Sequence, residues 1–209
     1  MREEITFLRK ILTDDTVTLA TPLGNIVPRN HKWEQAADSC KRSRGGWSVN
    51  LVFWWHLVYL WEVLERALLP DKEKKNLISI NVLEMMCAIV NMVGAIFVCG
   101  HDNIDLDAFP VLLNWCDNTA AYTWVNKNCK HSMTGRWLGR LFVGLLMSTQ
   151  IGVQAEWIST HLNFIADDMS RLKKESVDCD FNYAELKQTY QILAPCQQFQ
   201  PSIILLTII

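Results

Sequence analysis

The feature that most constrains the fold is a short apolar run that ends in a single acid. The run from Phe109 to Trp115 is followed by Asp117, and a helix can begin directly afterwards at Asn118 or Thr119. A buried strand that leads into a helix in this way places the acid at the carboxyl end of the strand, where α/β proteins usually hold their sites. Residues 155–171 repeat the pattern of strand, short loop and acid-bearing helix. The sequence therefore predicts an α/β fold with acids at one edge of a sheet.

Composition limits the classes of function. With 209 residues, 50% of them hydrophobic, the chain can bury one core of ordinary domain size. Its net charge of −2 excludes a globally basic protein, so contact with a polyanion must come from a local patch. The seven cysteines form no Cys-x-x-Cys pair, which favours free thiols in a reducing compartment. The amino terminus lacks the pattern of a signal peptide, and we expect an intracellular protein, cytoplasmic or nuclear.

Periodicity and turn signals predict the element order β-β-β-α-β-α-α-β-α, with a five-stranded mixed sheet flanked by helices. The predicted strands are 33–38, 45–51, 53–60, 110–116 and 153–159, and the predicted helices are 81–99, 119–127, 132–149 and 163–173. We expect residues 1–31 to form an arm, 32–175 the domain, and 176–209 a tail with a helix candidate at 183–193. Residues 41–44 are expected to form a basic turn.

The predicted helix at 81–99 is unusually apolar. Val82 to Val98 could in principle span a membrane, but this run has only 17 residues and contains Glu84 near one end. A spanning helix needs about 20 apolar residues. We therefore expect a helix buried in a protein core and no membrane partner.

Acids stand at four of the predicted strand ends and helix starts: Asp38, Glu84, Asp117, and the adjacent pair Asp167 and Asp168. Each has a simpler structural explanation. Asp38 suits a turn, Glu84 has the spacing of a capping box, Asp117 can cap the helix that follows, and acids suit the first turn of any helix. Their order along one α/β chain nevertheless favours a shared site.

Carboxylates gathered at one sheet edge repel one another and raise one another's pKa unless a cation binds them. Hard Mg²⁺ prefers carboxylate oxygens and retains several waters. Two such ions about 3.5–4 Å apart can activate a water and stabilise the leaving oxygen of a phosphodiester. The acids therefore predict a site for two Mg²⁺ ions, with Mn²⁺ as a substitute.

Four segments together resemble the acidic motifs of the ribonuclease H domain of retroelement reverse transcriptases. They are Asp38 followed by glycines and a tryptophan strand, Ile80-Asn-Val-Leu-Glu84-Met, Cys116-Asp-Asn-Thr-Ala-Ala121 and Asn163-Phe-Ile-Ala-Asp167-Asp-Met-Ser-Arg171. The resemblance covers about residues 32–173 and implies a ribonuclease H-like fold. It also implies metal-dependent hydrolysis of the RNA strand of RNA–DNA hybrids by a retroelement fragment, whose arm joins a polymerase region.

By this resemblance, Asp38, Glu84, Asp117 and Asp167 would be the catalytic metal ligands. Adjacent helical residues point about 100° apart, and the sequence leaves open whether Asp167 or Asp168 turns inward. The family often has a loop histidine that helps product release. His161 would take that part, although a loop histidine without a role is an equal alternative. No Tyr-x-Asp-Asp motif is present, so the chain is not a reverse transcriptase by itself.

Nucleic-acid contacts are expected beside the acids. Asn118 and Thr119 could contact the backbone or 2′-hydroxyls of RNA, or simply cap a helix. Lys127, Arg136 and Arg140 could form a phosphate-binding stripe, or an ordinary solvated face. An alternative function is a non-catalytic remnant or connection-like domain that only binds nucleic acid or packs against a polymerase.

Overall fold

A computed structural model describes residues 31–69, 78–99, 110–127, 133–149, 151–171 and 183–200, and three single residues nearer the amino terminus. Nearly all of the expected arm, residues 1–31, lies outside the described residues, as does the carboxyl end from residue 201. The described part is an α/β structure built on one mixed sheet.

The sheet has six strands among the described residues, in the order β5-β4-β1-β2-β3-β6. Their bounds are Trp33–Ser39 (β1), Ser43–Ser48 (β2), Phe53–Val58 (β3), Val111–Cys116 (β4), Gly152–Trp157 (β5) and Gln197–Gln198 (β6). β1, β2 and β3 form an antiparallel meander, and β4 pairs parallel with both β1 and β5. The predicted count of five strands is wrong, because the short β6 pairs parallel with β3.

Six α-helices connect and cover the strands in the described part. They are Trp61–Ala67 (α1), Ile80–Cys99 (α2), Thr119–Lys127 (α3), Met133–Thr149 (α4), Phe164–Ser170 (α5) and Tyr183–Thr189 (α6). The helices predicted at 81–99, 119–127 and 132–149 occur within one residue of their predicted bounds. The helix predicted at 163–173 ends at Ser170, the candidate at 183–193 ends at Thr189, and α1 was not predicted; positions 132, 172 and 173 lie outside the described residues. The expected basic turn at 41–44 is wrong in its second half, because β2 already begins at Ser43.

α2 is apolar over most of its surface because it is covered on two sides. It packs against β1 and β2 on one side and against α3 and α4 on the other. By length and composition α2 could cross a membrane, but 78% of its most apolar window is buried inside the protein. It is therefore a core helix of this fold, as expected from the sequence.

Two glycines in β2 let helices pack closely on both faces of the sheet. A Cβ at Gly45 would lie 2.5 Å from the Cβ of Met169 in α5, and a Cβ at Gly46 would lie 2.5 Å from Asn91 Oδ1 in α2. Successive strand residues point to opposite faces, so α5 and α2 cover opposite sides of β2. The glycine pair thus brings both helices close to the central strands.

A buried polar network connects β1, β4 and α2. Gln35 Nε2 of β1 and Asn91 Nδ2 of α2 both donate to Asn114 Oδ1 of β4, at 3.1 and 3.2 Å. Trp55 Nε1 of β3 donates to Asn91 Oδ1 at 2.7 Å. Hydrogen bonds between buried amides favour one relative placement of the elements that carry them.

Residues 183–200 pack on the face of the sheet that α5 covers. Leu193 and Cys196 are buried against Trp54, Ile165 and Met169. β6 then follows the edge of β3, with Phe53 opposite Gln197. This part of the expected tail therefore holds α5 against the sheet.

Candidate metal centre

Asp38 lies near the carboxyl end of β1 and is buried, with 5% of its surface exposed. Its side chain shares the α5 face of the sheet with Gly45, the residue opposite it in β2. The Oδ2 atom accepts a hydrogen bond from the Ser170 hydroxyl at the end of α5. The strand end and α5 together fix this carboxylate.

Glu84 lies in the second turn of α2, because the helix begins at Ile80. The backbone N–H groups of Val82 and Leu83 donate to Ser79 O, so the capping-box interpretation of Glu84 is wrong. Glu84 is 5% exposed, and its Oε1 accepts the Ser39 N–H at 3.2 Å. The acid therefore points toward the end of β1.

Asp117 directly follows β4, and Asn118 rather than Asp117 caps α3. Asn118 Oδ1 accepts the N–H groups of Ala120 and Ala121 at 2.9 and 3.0 Å, and its Nδ2 donates to Asn81 Oδ1 at 3.1 Å. The cap interpretation of Asn118 is confirmed, and that of Asp117 is wrong. The half-buried Asp117 carboxylate thus remains outside the cap.

The structure brings Asp38, Glu84 and Asp117 together; we call these three residues the acid trio. One carboxylate oxygen from each lies within 4.8 Å of the other two. They line a cleft of about 550 Å³ that also contacts Thr160 and Arg171. Three acids separated by 46 and 33 positions thus meet where β1 and β4 end and α2 begins.

The acid trio carries the electrostatic signature of a cation site. Burial raises the pKa of Asp38, the Ser170 hydrogen bond lowers it, and the charges of Asp117 and Asp167 raise it further. Burial also raises the pKa of Glu84 well above its usual value, as do the charges of Asp38 and Asp117. A divalent cation would remove this repulsion, and three close carboxylates are the donor set that a hard cation prefers. The residues present therefore fit a divalent cation.

Asp167 and Asp168 of α5 point in different directions. Asp167 Oδ1 lies 2.7 Å from Arg171 Nε, and its pKa is raised by burial, lowered by Arg171 and raised by Asp117. Asp168 accepts a hydrogen bond from the Tyr190 hydroxyl. Asp167 thus lies within electrostatic reach of the trio but does not line the cleft, so the structure brings together three of the four predicted ligands. Asp168 faces the carboxyl-terminal segment.

His161 lies in a short 3₁₀ helix, Thr160–Leu162, between β5 and α5. Its side chain is exposed, and its Nε2 lies 3.3 Å from Ser159 Oγ. The cleft is lined by the preceding residue, Thr160, and not by His161. The structure therefore does not bring His161 into the acid cluster.

The residues predicted to bind nucleic acid lie mostly away from the acids. Thr119 is exposed at the start of α3, beside the trio, but Lys127 is exposed at the opposite end of that helix. Arg136 is exposed on α4, and the Arg140 guanidinium lies 5.0 Å from the ring centre of Trp137. Neither arginine lines the cleft, and nor does Lys127.

Two cations that line the cleft were not among the predicted contacts: Lys41, just after β1, and Arg171, just after α5. Sequence signals existed for both, since Lys41 stands three residues after Asp38 and Arg171 four after Asp167. Arg44, expected in a solvated turn, is instead 2% exposed and lies over the Tyr59 ring at 5.0 Å. No described group accepts a hydrogen bond from its Nε or Nη1.

The chain matches no protein-family model, no curated protein and no solved structure. The resemblance to retroelement ribonuclease H therefore depends on the four motifs themselves. The geometry adds an independent observation, because the acids of the first three motifs converge.

Proposed function

We propose that this chain is a metal-dependent endonuclease that hydrolyses the RNA strand of RNA–DNA hybrids, a ribonuclease H-type fragment of a retroelement polyprotein. The observation that carries the proposal is the acid trio, whose members come from three separate elements and meet in an open cleft. These are three of the four acids that the resemblance implies as metal ligands. A buried group of acids with no chemical role would be a costly arrangement.

The cofactor in this proposal is a pair of Mg²⁺ ions, for which Mn²⁺ can substitute. Asp38, Glu84 and Asp117 would hold one ion, and Asp167 would contribute to the second. When bound, the ions supply Lewis-acid activation of a water and charge stabilisation at the leaving oxygen. The chain's own residues orient these ligands: Ser170 fixes Asp38, and the Ser39 N–H fixes Glu84.

The substrate in this proposal approaches the cleft rim, where Lys41, Thr160 and Arg171 surround the acids. Lys41 and Arg171 supply positive charge for phosphate, the sequence-independent part of nucleic-acid binding. Thr119, exposed beside the trio, is placed for a 2′-hydroxyl or backbone contact. In this proposal the partners are an RNA–DNA hybrid and the polymerase region of the parent polyprotein, in the cytoplasm or nucleus.

The proposal is tested with purified protein and an end-labelled RNA–DNA hybrid in the presence of Mg²⁺ or Mn²⁺. We expect the RNA strand to be cut, and chelation of the metal to stop the reaction. Asp117→Asn should abolish cleavage and keep the fold, as judged by circular dichroism. Asp168→Asn is the matched control, since an asparagine can still accept the Tyr190 hydrogen bond.

The non-catalytic alternative gives the opposite results. A remnant that only packs on a polymerase or binds nucleic acid would leave the hybrid intact with either metal. It would also show no metal-dependent rise in melting temperature, and alanine at each of the four acids would be tolerated. An intact hybrid with a fully folded protein would therefore decide for this alternative.

A further inference from the structure

Arg171 directly follows α5 and stands at the rim of the cleft. Its backbone N–H donates to Asp167 O at 2.9 Å, and its Nε forms an ion pair with Asp167 Oδ1 at 2.7 Å. The Arg171 side chain is 61% exposed, whereas that of Asp167 is 20% exposed. The backbone anchors the arginine, and its side chain remains accessible to solvent.

Most ion pairs between residues four apart lie on a solvated helix face and contribute little. This pair is different in its location, because Arg171 lines the same cleft as the acid trio. Asp167 also interacts electrostatically with Asp38 and Asp117. A cation that binds next to the trio and uses Asp167 as a ligand must therefore compete with the Arg171 guanidinium.

We propose that Arg171 is an exchangeable counter-ion for Asp167, released to a phosphate of the bound nucleic acid when a divalent cation takes Asp167 as a ligand. This inference rests on the proposed function. The Arg171 side chain is largely exposed, so the arginine can leave the pair, and a guanidinium presents parallel N–H donors that match the oxygens of a phosphate. Arg171 would thus suppress metal binding in the free protein and strengthen substrate binding in the complex.

The first measurement is Mn²⁺ titration by calorimetry without nucleic acid, on the wild-type chain and on Arg171→Met. Of the two Mn²⁺ ions, we expect the more weakly bound one to bind roughly two- to fivefold more tightly to Arg171→Met than to the wild type. This range is set by the strength of an ion pair at a protein surface. Arg171→Lys should lie between the two. Lys32→Met is the control, because Lys32 is an exposed cation that precedes β1, at the end of the strand away from Asp38.

The second measurement is hybrid cleavage at saturating Mg²⁺. Loss of the phosphate contact should raise the KM for the hybrid in Arg171→Met, while kcat changes less. Tighter metal binding combined with a higher substrate KM is a signature that a purely structural arginine would not produce. Melting temperatures of both variants establish that they are folded.

The outcomes separate the two proposals. Equal Mn²⁺ affinities in wild type and Arg171→Met, together with normal cleavage, would overturn the counter-ion role and leave the nuclease function standing. If the wild-type protein cuts no hybrid but Arg171→Met binds Mn²⁺ more tightly, the counter-ion role of Arg171 would be supported and the nuclease function would be refuted. A variant with tighter metal binding and an unchanged KM would refute transfer of Arg171 to phosphate.

Discussion

The acid trio and the two acids of α5 lie close together, but the protein holds them differently. In the trio, Asp38 and Glu84 accept hydrogen bonds from neutral groups, the Ser170 hydroxyl and the Ser39 N–H. On α5, Asp167 is paired with the Arg171 cation and Asp168 with the Tyr190 hydroxyl. Neutral donors orient a carboxylate without cancelling its charge. The trio is therefore oriented to bind a cation, whereas Asp167 already has a cationic partner in Arg171.

The two regions also differ in how they are anchored. The trio stands on β1, α2 and β4, which share the buried network centred on Asn114. α5 is held by close packing on Gly45 and by the segment 183–200. We therefore expect changes in the network to disturb the trio, and changes in α5 packing to disturb the position of Asp167.

The largest expected effect is the loss of a trio carboxylate. Glu84→Gln should lower hybrid cleavage by more than the roughly 10–100-fold that loss of an outer-shell partner of a metal ligand costs. Glu156→Gln is the matched control, because this half-buried β5 acid accepts a hydrogen bond from Gln154 at 2.6 Å and is not part of the trio. Steady-state cleavage rates check the prediction, and similar losses in both variants would show that the trio is not special.

The second effect concerns the network below the trio. Asn114→Leu removes the acceptor shared by Gln35 and Asn91 and leaves two buried donors without it. Each unsatisfied buried donor costs about 1–3 kcal/mol, so the free energy of unfolding should fall by about 2–6 kcal/mol. Urea denaturation measures the loss. A neutral result would mean that the network does not anchor the trio's elements.

The third effect is a pH dependence that separates the trio from ordinary acids. Asp38 and Glu84 have pKa values raised by burial above those of the unfolded chain. Their contribution to the stability of the metal-free protein is therefore greatest below the unfolded values near 4, and falls as pH rises toward the folded values. At pH 8, Mn²⁺ at 100 times its Kd should raise the free energy of unfolding by about 2.7 kcal/mol. The Asp38→Asn, Glu84→Gln double variant should show a flatter pH profile and no metal effect; profiles parallel to the wild type would contradict this.

The fourth effect tests the α5 side. Gly45→Ala places a Cβ 2.5 Å from Met169 Cβ and 3.0 Å from the Met169 backbone carbon, so α5 must move away from β2. Such overpacking costs about 1–3 kcal/mol, and cleavage should fall because Asp167 moves with the helix. In Gly144→Ala in α4 the new Cβ meets no described residue within 4 Å apart from its chain neighbours and the backbone of its own helix, so this variant should be neutral or slightly stabilising. Thermal melts of the two variants compare them directly.

Much of this fold could be predicted from local sequence patterns. The strands around Asp38 and Asp117 and the apolar helix of Glu84 have clear periodicity, and they fix where the trio can meet. β6 was missed because two successive glutamines carry no strand signal. Arg44 was misplaced because cations in a charged run are usually solvated, and only tertiary packing over Tyr59 buries this one.

The site was less predictable than the fold, because its details depend on partners distant in sequence. Asn118 and Asp117 both suit a helix cap, and only the hydrogen bonds to Ala120 and Ala121 assign the cap to Asn118. The predicted phosphate-binding stripe of Lys127, Arg136 and Arg140 had the right chemistry, but none of the three lines the cleft. A periodic pattern gives the face of a helix, and the tertiary arrangement decides what that face meets.

The smallest expected effect concerns the choice between the two α5 acids. Tyr190 lies 22 positions after Asp168, and its hydroxyl holds that carboxylate toward the carboxyl-terminal segment. Tyr190→Phe should lower the free energy of unfolding by about 0.5–1.5 kcal/mol, the usual net value of one hydrogen bond. Cleavage should change less than twofold if Asp167 alone serves the site. A large loss of cleavage with intact stability would instead mean that Asp168 must be held away from the metals. Both acids of α5, and not Asp167 alone, would then differ from the trio in how the protein holds them.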